Sequence, residues 1–352
     1  MKILIATDAW HPQVNGVVNT LNNTRIEAEG LGHEVCMITP LDFRFSVPCP
    51  TYPEIRLSLW VRRVLRQKVL EFGPQAIHIS TEGPIGQAMR KLALEWGLPF
   101  TTAFHTRFPE YLWKKFYLPE AWTYSALRSF HAVSKRVLAP TPSMQEELER
   151  HGIERVCQWS RGVDVSLFRP RSERRLDLPR PIFTCVGRVS IEKNLKAFLD
   201  LELPGSKIIV GDGPQLRQYK RRYKQAHFTG TKRGEELGQI YSDSDVFVFP
   251  SLTDTYGLVL LEALASGVPV AAYRITGPRD VIGTSPVGRL VEPNGGDLRQ
   301  AALEALEIDR AQCRAFAERK TWRLSTEQFL SHLVPFNADW PVLRLAPTAR
   351  AA

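Results

Sequence analysis

A chain of 352 residues exceeds what one hydrophobic core usually organises and suits two α/β domains of similar size. Its composition is that of a globular protein without low-complexity windows, which excludes a fibrous or disordered chain. The formal net charge of +9 calls for anionic partners: nucleic acid, a membrane surface or phosphorylated small molecules.

No helix-turn-helix pattern, zinc-finger spacing or aromatic RNA-binding signature accompanies that charge, so nucleic acid is not expected as a partner. The five cysteines (Cys36, Cys49, Cys157, Cys185, Cys313) are scattered and never spaced as C-x-x-C, which favours a reducing compartment and offers no zinc site. No apolar run is long enough to span a bilayer, and the N-terminus lacks the order of a signal peptide; a soluble, cytoplasmic protein is expected.

In chain order, Ile3 to Ala6 reads as a buried strand, and short β-branched runs recur at 35–38, 76–79 and 100–103 between longer helical patterns. That alternation predicts βαβ units and a parallel sheet. Asp8 to Gly16 follows the first strand and opens a helix near Val17; Gly16 permits close backbone approach to a phosphate or sugar. From Leu57 to Phe72, Val61, Val64, Leu65, Val69 and Phe72 recur at helical spacing among Arg62, Arg63, Arg66 and Lys68. This basic amphipathic helix suits an anionic membrane surface or, equally, packing on its own domain with a solvated basic face. Trp60, and later Trp113 to Tyr117, add aromatic and basic groups that favour a lipid acceptor. His105 follows the strand at 100–103, at the carboxyl end where ligands of such sheets bind.

Residues 166–181 hold Pro170, Pro179 and Pro181 among arginines and show no periodic element, the signature of a linker between a domain at 1–165 and one at 182–320. A second set of strands is predicted at 182–186, 207–210, 246–249 and 268–272. A helical stretch follows from Arg310 to Leu333, and residues 321–352 are expected to pack back toward the first domain and end in a frayed tail.

The chemistry concentrates in the loops after these later strands. Gly187-Arg188-Val189-Ser190-Ile191-Glu192-Lys193 puts two cations between a strand and a helix, where they would neutralise a departing phosphate. Gly211 and Gly213 punctuate the next turn. In Thr253-Asp254-Thr255-Tyr256-Gly257-Leu258-Val259-Leu260-Leu261-Glu262 the loop precedes a short helix, so the N–H groups of Gly257, Leu258 and Val259 can cradle a diphosphate. Asp254 in the loop and Glu262 one turn into the helix then reach different parts of one ligand, and hydroxyls are their natural partners.

This segment resembles the E-x7-E motif of the retaining family-four glycosyltransferases with the GT-B fold, and Arg188 to Lys193 resembles their G-R-x-x-x-x-K signature. Arg161-Gly162-Val163-Asp164, Val210 to Pro214 and Phe228-Thr229-Gly230 match further landmarks in order. The resemblance implies two Rossmann-like, doubly wound α/β domains facing a central cleft. It also implies metal-independent, anomer-retaining transfer from a nucleotide-diphosphate sugar, with no cofactor. Asp254 and His105 would then meet the transferred sugar, Glu262 the donor ribose, Arg188 and Lys193 the leaving phosphate, and Gly16, Gly187, Gly211, Gly213, Tyr256, Gly257, Leu258 and Val259 the rest of the donor.

Two departures stand out: Asp254 shortens the first acid, and Asn15-Gly16 stands where many relatives carry two glycines. Asp243-Ser244-Asp245 spells the D-x-D of the other main glycosyltransferase fold, but at the amino end of a predicted strand, so no metal site is expected there.

The Asn-Gly loop and the Thr-Asp-Thr-Tyr-Gly form look most like bacterial enzymes that glycosylate membrane lipids. The expectation is transfer of a hexose or hexuronic acid from a UDP-sugar to diacylglycerol, peripherally at the inner face of the cell membrane. The alternatives are GDP-mannose-dependent mannosyl transfer to a lipid or polysaccharide and, in another class, a non-catalytic membrane-associated nucleotide-sugar binder. The last would be expected to lack a phosphate cation or an acid, and this chain keeps Arg188, Lys193 and Glu262.

Overall fold

The computed structural model describes residues 1–13, 15–48, 56–105 and 120–337. They form two compact units, one comprising Met1–Ser160 with the chain from Thr326 onward, the other Arg161–Ser325.

In the first unit, strands β1 (Lys2–Ala6) and β2 (Glu34–Ile38) are followed by a small antiparallel pair, β3 (Ser46–Pro48) and β4 (Arg56–Ser58). Then come β5 (Ala76–Ile79), β6 (Thr101–Ala103), β7 (Val137–Ala139) and β8 (Val156–Gln158). The six main strands lie in the order β2-β1-β5-β6-β7-β8, all neighbours parallel. Ile3, Leu4, Ile5 and Ala6 are buried together, as a strand covered on both faces requires. The chain steps from β1 outward to β2 and then returns to β5 on the other side of β1. The switch point therefore lies between the loops that follow β1 and β5.

The basic helix forms from Val61 to Phe72. Val61, Leu65 and Val69 are buried with Ile85, Met89 and Leu92 of the helix Pro84–Glu95, and Val64 and Phe72 pack against the same cluster. Burying three such aliphatic side chains is worth about 5–9 kcal/mol. The apolar stripe is thus committed to the core of its own unit, which corrects the membrane reading of that face; only its basic face and Trp60 stay outside.

The helical stretch expected from 310 to 333 is two helices, Arg310–Glu318 and Trp322–His332. The break has a cause: Val163 N–H bonds to the Lys320 carbonyl at 2.9 Å, and Val163 forms an isolated parallel bridge with Thr321. Further along, Phe329 and Leu333 join Ile3, Ile5 and Trp159 in the core of the first unit, and Gln328 Oε1 accepts from the Ser160 N–H and hydroxyl.

The second unit holds β9 (Ile182–Val186), β10 (Ser206–Val210), β11 (His227–Gly230), β12 (Val246–Phe249), β13 (Val270–Tyr273) and β14 (Gly288–Val291). They form one parallel sheet in the order β11-β10-β9-β12-β13-β14. Its switch point separates the loops after β9 and β12. The helix Leu258–Ala265 is apolar nearly all round and packs on Arg310–Glu318. There Arg314 Nη1 donates to the carbonyls of Val165, Phe168 and Ala265 at 2.8–3.0 Å.

The proline-rich segment 166–181 belongs to the second unit. Asp243 accepts the N–H groups of Arg175 and Leu176 and the Gln239 amide, while Asp245 accepts the Ile182 N–H and pairs with Arg180. The oxygens of the D-x-D pair are thereby spent on fixing this segment.

Candidate nucleotide-sugar site

The loops after β9 and β12, distant in sequence, become neighbours because the strand order sets β9 beside β12. Gly187 and Arg188 leave the end of β9, with Arg188 exposed, and the chain enters a short 3₁₀ turn at Ile191–Lys193. Asn194 follows in the left-handed region at φ 50°, and its side chain donates to the Pro250 carbonyl at 3.1 Å, just past β12. Thr253 Oγ1 reaches back to the Glu192 carbonyl at 3.4 Å. Between these ties Lys193 Nζ meets Asp254 Oδ1 at 2.5 Å, the two side chains 27% and 19% exposed. The second oxygen, Oδ2, is buried with no hydrogen-bond partner.

Gly211 and Gly213 serve this arrangement by having no side chain. A Cβ on Gly211 would sit 1.9 Å from the Gly187 carbonyl oxygen, and one on Gly213 would sit 2.5 Å from that of Val189. Their turn lies directly on the loop that carries Arg188, and Gly187 N–H bonds to the Val210 carbonyl at 2.9 Å.

Gly257 starts the helix Leu258–Ala265 at φ 83°, a conformation that side-chain-bearing residues rarely adopt. It brings no side chain to cap the first turn, so the N–H groups of Leu258 and Val259 stand at the positive end of the helix beside the two tied loops. Tyr256 is buried and donates its hydroxyl to the Arg161 carbonyl at 3.2 Å, so this residue offers a ligand its backbone. The Arg161 guanidinium is itself buried, which lowers it to about 10, against the raising effect of Tyr256.

Glu262, partly exposed, projects from the helix and accepts the hydroxyl of fully buried Tyr241 at 3.0 Å. Burial pushes its carboxyl up to about 7, offset in part by the Tyr241 hydrogen bond. It is an acceptor whose charge turns on near neutrality.

In the first unit His105 lies just beyond β6, its ring edge-on to Trp159 with centroids 5.7 Å apart. Gly16 opens the helix Gly16–Gly30, but Asn15 Oδ1 accepts the N–H groups of Val17 and Val18, both at 3.0 Å. Those two donors at the start of the helix are occupied by the chain itself, so what this turn has for a ligand is the close backbone approach at Gly16. At the switch point of this sheet Asp8 does the same for the helix Pro84–Glu95: its carboxylate accepts from Ile85 N–H at 2.8 Å, Gly86 N–H at 3.2 Å and the Thr81 hydroxyl at 2.8 Å. Burial raises the Asp8 carboxyl, and these bonds oppose the rise.

On the basic helix Arg62 pairs with Glu95 and Lys68 with Asp42, both at 2.7 Å, Arg66 lies over the Trp96 ring, and Arg63 is exposed. Trp60 is 77% exposed and packs edge-on against exposed Phe45, close to exposed Leu59. The second aromatic–basic group, Trp113 to Tyr117, lies outside the described residues. So does Cys49. Among the described residues, no cluster of three or more His, Cys, Asp or Glu could hold a metal ion, and no helix is long and apolar enough to cross a membrane.

Of the residues singled out in the sequence, the fold of the second unit pairs Lys193 with Asp254 and sets Arg188 on the loop after β9 and Gly257, Leu258 and Val259 at the helix start after β12, with their supporting glycines, while Glu262 lies one turn further along that helix against Tyr241. Gly16 and His105 belong to the first unit. Sequence reasoning gave no role to Asn194, Tyr241, Asp8 or the Arg161 side chain. Asn194 had a signal in standing next to Lys193; Tyr241 had none, since its partner lies 21 residues away.

Two parallel, doubly wound units, one bearing cations, a free helix N-terminus and two acids around its switch point, define a glycosyltransferase of GT-B fold. Residues 14–167 match the family model for Glycosyltransferase Family 4, and residues 169–322 that for Glycosyl transferases group 1. The chain belongs to the family-four glycosyltransferases. It is 32% identical to a GDP-mannose-dependent alpha-mannosyltransferase of Mycolicibacterium smegmatis over 94% of this chain and 96% of that one. It is 26% identical to an alpha-monoglucosyldiacylglycerol synthase of Streptococcus pneumoniae, covering 96% and 86% respectively. Its fold resembles that of HepE from Anabaena, solved with UDP, at a TM-score of 0.69 and 15% identity over 94% of this chain and 99% of that one.

Proposed function

We propose that this enzyme transfers mannose from GDP-mannose to a membrane lipid, with retention at the anomeric carbon. The observation that carries the transfer chemistry is the convergence of Arg188, Lys193, Asp254 and the Gly257 helix start on the two loops of one switch point. Acceptor oxygen bonds to C1 as the C1–O bond to the β-phosphate breaks; the electron pair goes to the phosphate oxygen, and the acceptor's proton follows it. Arg188, Lys193 and the helix N–H groups carry the charge that develops there, without a protein nucleophile or a metal ion. Asp254 Oδ2 accepts a hydroxyl of the transferred sugar, and Glu262 accepts from the ribose.

The mannose donor is favoured by the 32% identity to a GDP-mannose-dependent enzyme. The lipid acceptor is favoured by the likeness to a glucosyldiacylglycerol synthase and by the exposed Trp60 and Phe45 flanked by Arg62 and Arg63. A second reading, UDP-sugar transfer to diacylglycerol, has support from that same synthase and from the UDP complex of a structural neighbour.

Purified protein is incubated with labelled GDP-mannose, UDP-glucose or UDP-glucuronate and with vesicles of anionic phospholipid and diacylglycerol. Labelled lipid from GDP-mannose, unchanged by EDTA and of retained configuration by NMR, is expected. Label from a UDP-sugar alone would establish the second reading, and no labelled lipid from any donor would remove both.

A further inference from the structure

We propose that Asp254 has a second role: through its ion pair with Lys193 it holds down the affinity for the nucleoside diphosphate left after transfer, and so speeds product release. The proposal rests on the reading of this site as the donor site.

The pair is built into the two loops and is not a chance surface contact. Lys193 is fixed between the 3₁₀ turn and left-handed Asn194, whose side chain grips the Pro250 carbonyl. Asp254 follows Thr253, which grips the Glu192 carbonyl. With the two side chains only 27% and 19% exposed, solvent screens the 2.5 Å contact far less than it would a surface pair. Lys193 therefore presents to a phosphate a charge already partly neutralised by a carboxylate.

Asp254 Oδ2 makes the effect depend on what is bound. That oxygen is buried and lacks a partner. A sugar hydroxyl donating to it stabilises the carboxylate and draws its charge toward the sugar. Once the sugar has left on the acceptor, Oδ2 is again unsatisfied, the carboxylate's charge falls back on Lys193, and the lysine has correspondingly less to offer the diphosphate. The same acid that welcomes the sugar-bearing donor thus disfavours the stripped product, and the energy comes from charge geometry alone, with no movement of the loops.

The test measures equilibrium binding of GDP and UDP, by calorimetry, to wild type, Asp254→Asn, Asp254→Glu, Lys193→Gln and the Asp254→Asn/Lys193→Gln double variant, all checked for native thermal melting. Asp254→Asn is expected to bind the cognate nucleoside diphosphate about tenfold more tightly than wild type while turning over donor more slowly. Asp254→Glu, which keeps the charge, is expected to stay within about threefold. In the Lys193→Gln background the gain from Asp254→Asn is expected to shrink below threefold. Unchanged or weaker binding by Asp254→Asn would overturn the proposal while leaving the donor site in place, as would a full tenfold gain in the absence of Lys193. Failure of wild type to bind either nucleotide at millimolar concentration would overturn the donor site and this role together.

Discussion

Glu262 shows how one carboxyl can tie the site to pH. Its ordinary value of 4.5 is raised to about 7 by burial, so the folded protein holds that proton more tightly than the unfolded chain. Stability contributed by the neutral form is therefore present below about pH 4.5 and is lost as pH rises through 7, a change of up to about 3 kcal/mol. Ribose hydroxyls prefer the ionised acceptor, so donor affinity should run the opposite way and rise across the same window. The expected result is that Glu262→Gln abolishes this rise in nucleotide affinity between pH 6 and 8, and melts at a higher temperature than wild type at pH 8. Parallel pH profiles in the two proteins would show that Glu262 does not govern either quantity. None of this was legible in the sequence: Glu262 stood out as the second acid of its motif, but the Tyr241 hydroxyl and the burial that shift it arrive from another helix.

Elements that the sequence revealed and those it concealed differ in how much apolar surface each must cover. β1, β5, β9 and β12 sit inside their sheets, are buried on both faces and read as apolar runs, interrupted only by His78 in β5 and Thr184 in β9. β7, β8 and β14 are three or four residues long and pair with strands as short as themselves, and β8 and β14 lie at the sheet edges only partly buried, so no apolar run or period marks them. The basic helix was legible as a helix but not in its destination, because a stripe at 3.6-residue spacing is the same whether it meets a core or a membrane. Loop partners such as Lys193 and Asp254, 61 positions apart, depend on strand order, which no local pattern encodes. Asp8 is the element-scale counterpart in the first unit, joining the loops after β1 and β5. Asp8→Ala should leave the N–H groups of Ile85 and Gly86 without their acceptor, at about 2–4 kcal/mol of stability by chemical denaturation. Asp8→Asn, which keeps one acceptor, should lose less; equal and small losses would show that another group satisfies those donors.

Over the molecule as a whole, the charge of +9 and the exposed aromatic residues beside the basic helix predict a binding surface for anionic lipid. Vesicle flotation should show wild type bound to anionic lipid at low salt and released near 0.5 M, about where the screening length falls to a few ångström. The triple change Arg62→Gln, Arg63→Gln, Arg66→Gln should weaken binding at every salt concentration, and Trp60→Ser should weaken it in a way that salt does not alter. Unaltered binding by both variants would place the lipid contact elsewhere. The path of the chain has a practical corollary. The second unit is one continuous stretch, Arg161–Ser325, inserted into a first unit whose core is closed only when Phe329 and Leu333 return to cover Ile3, Ile5 and Trp159. Expressed as a single fragment, the inserted stretch is expected to melt cooperatively and so to allow titration with nucleotides; a non-cooperative melt would show that it depends on the first unit. Cutting the chain after Ser160 strips the other half of part of its interior, and a stable version of it needs residues 326–337 grafted back through an artificial connection.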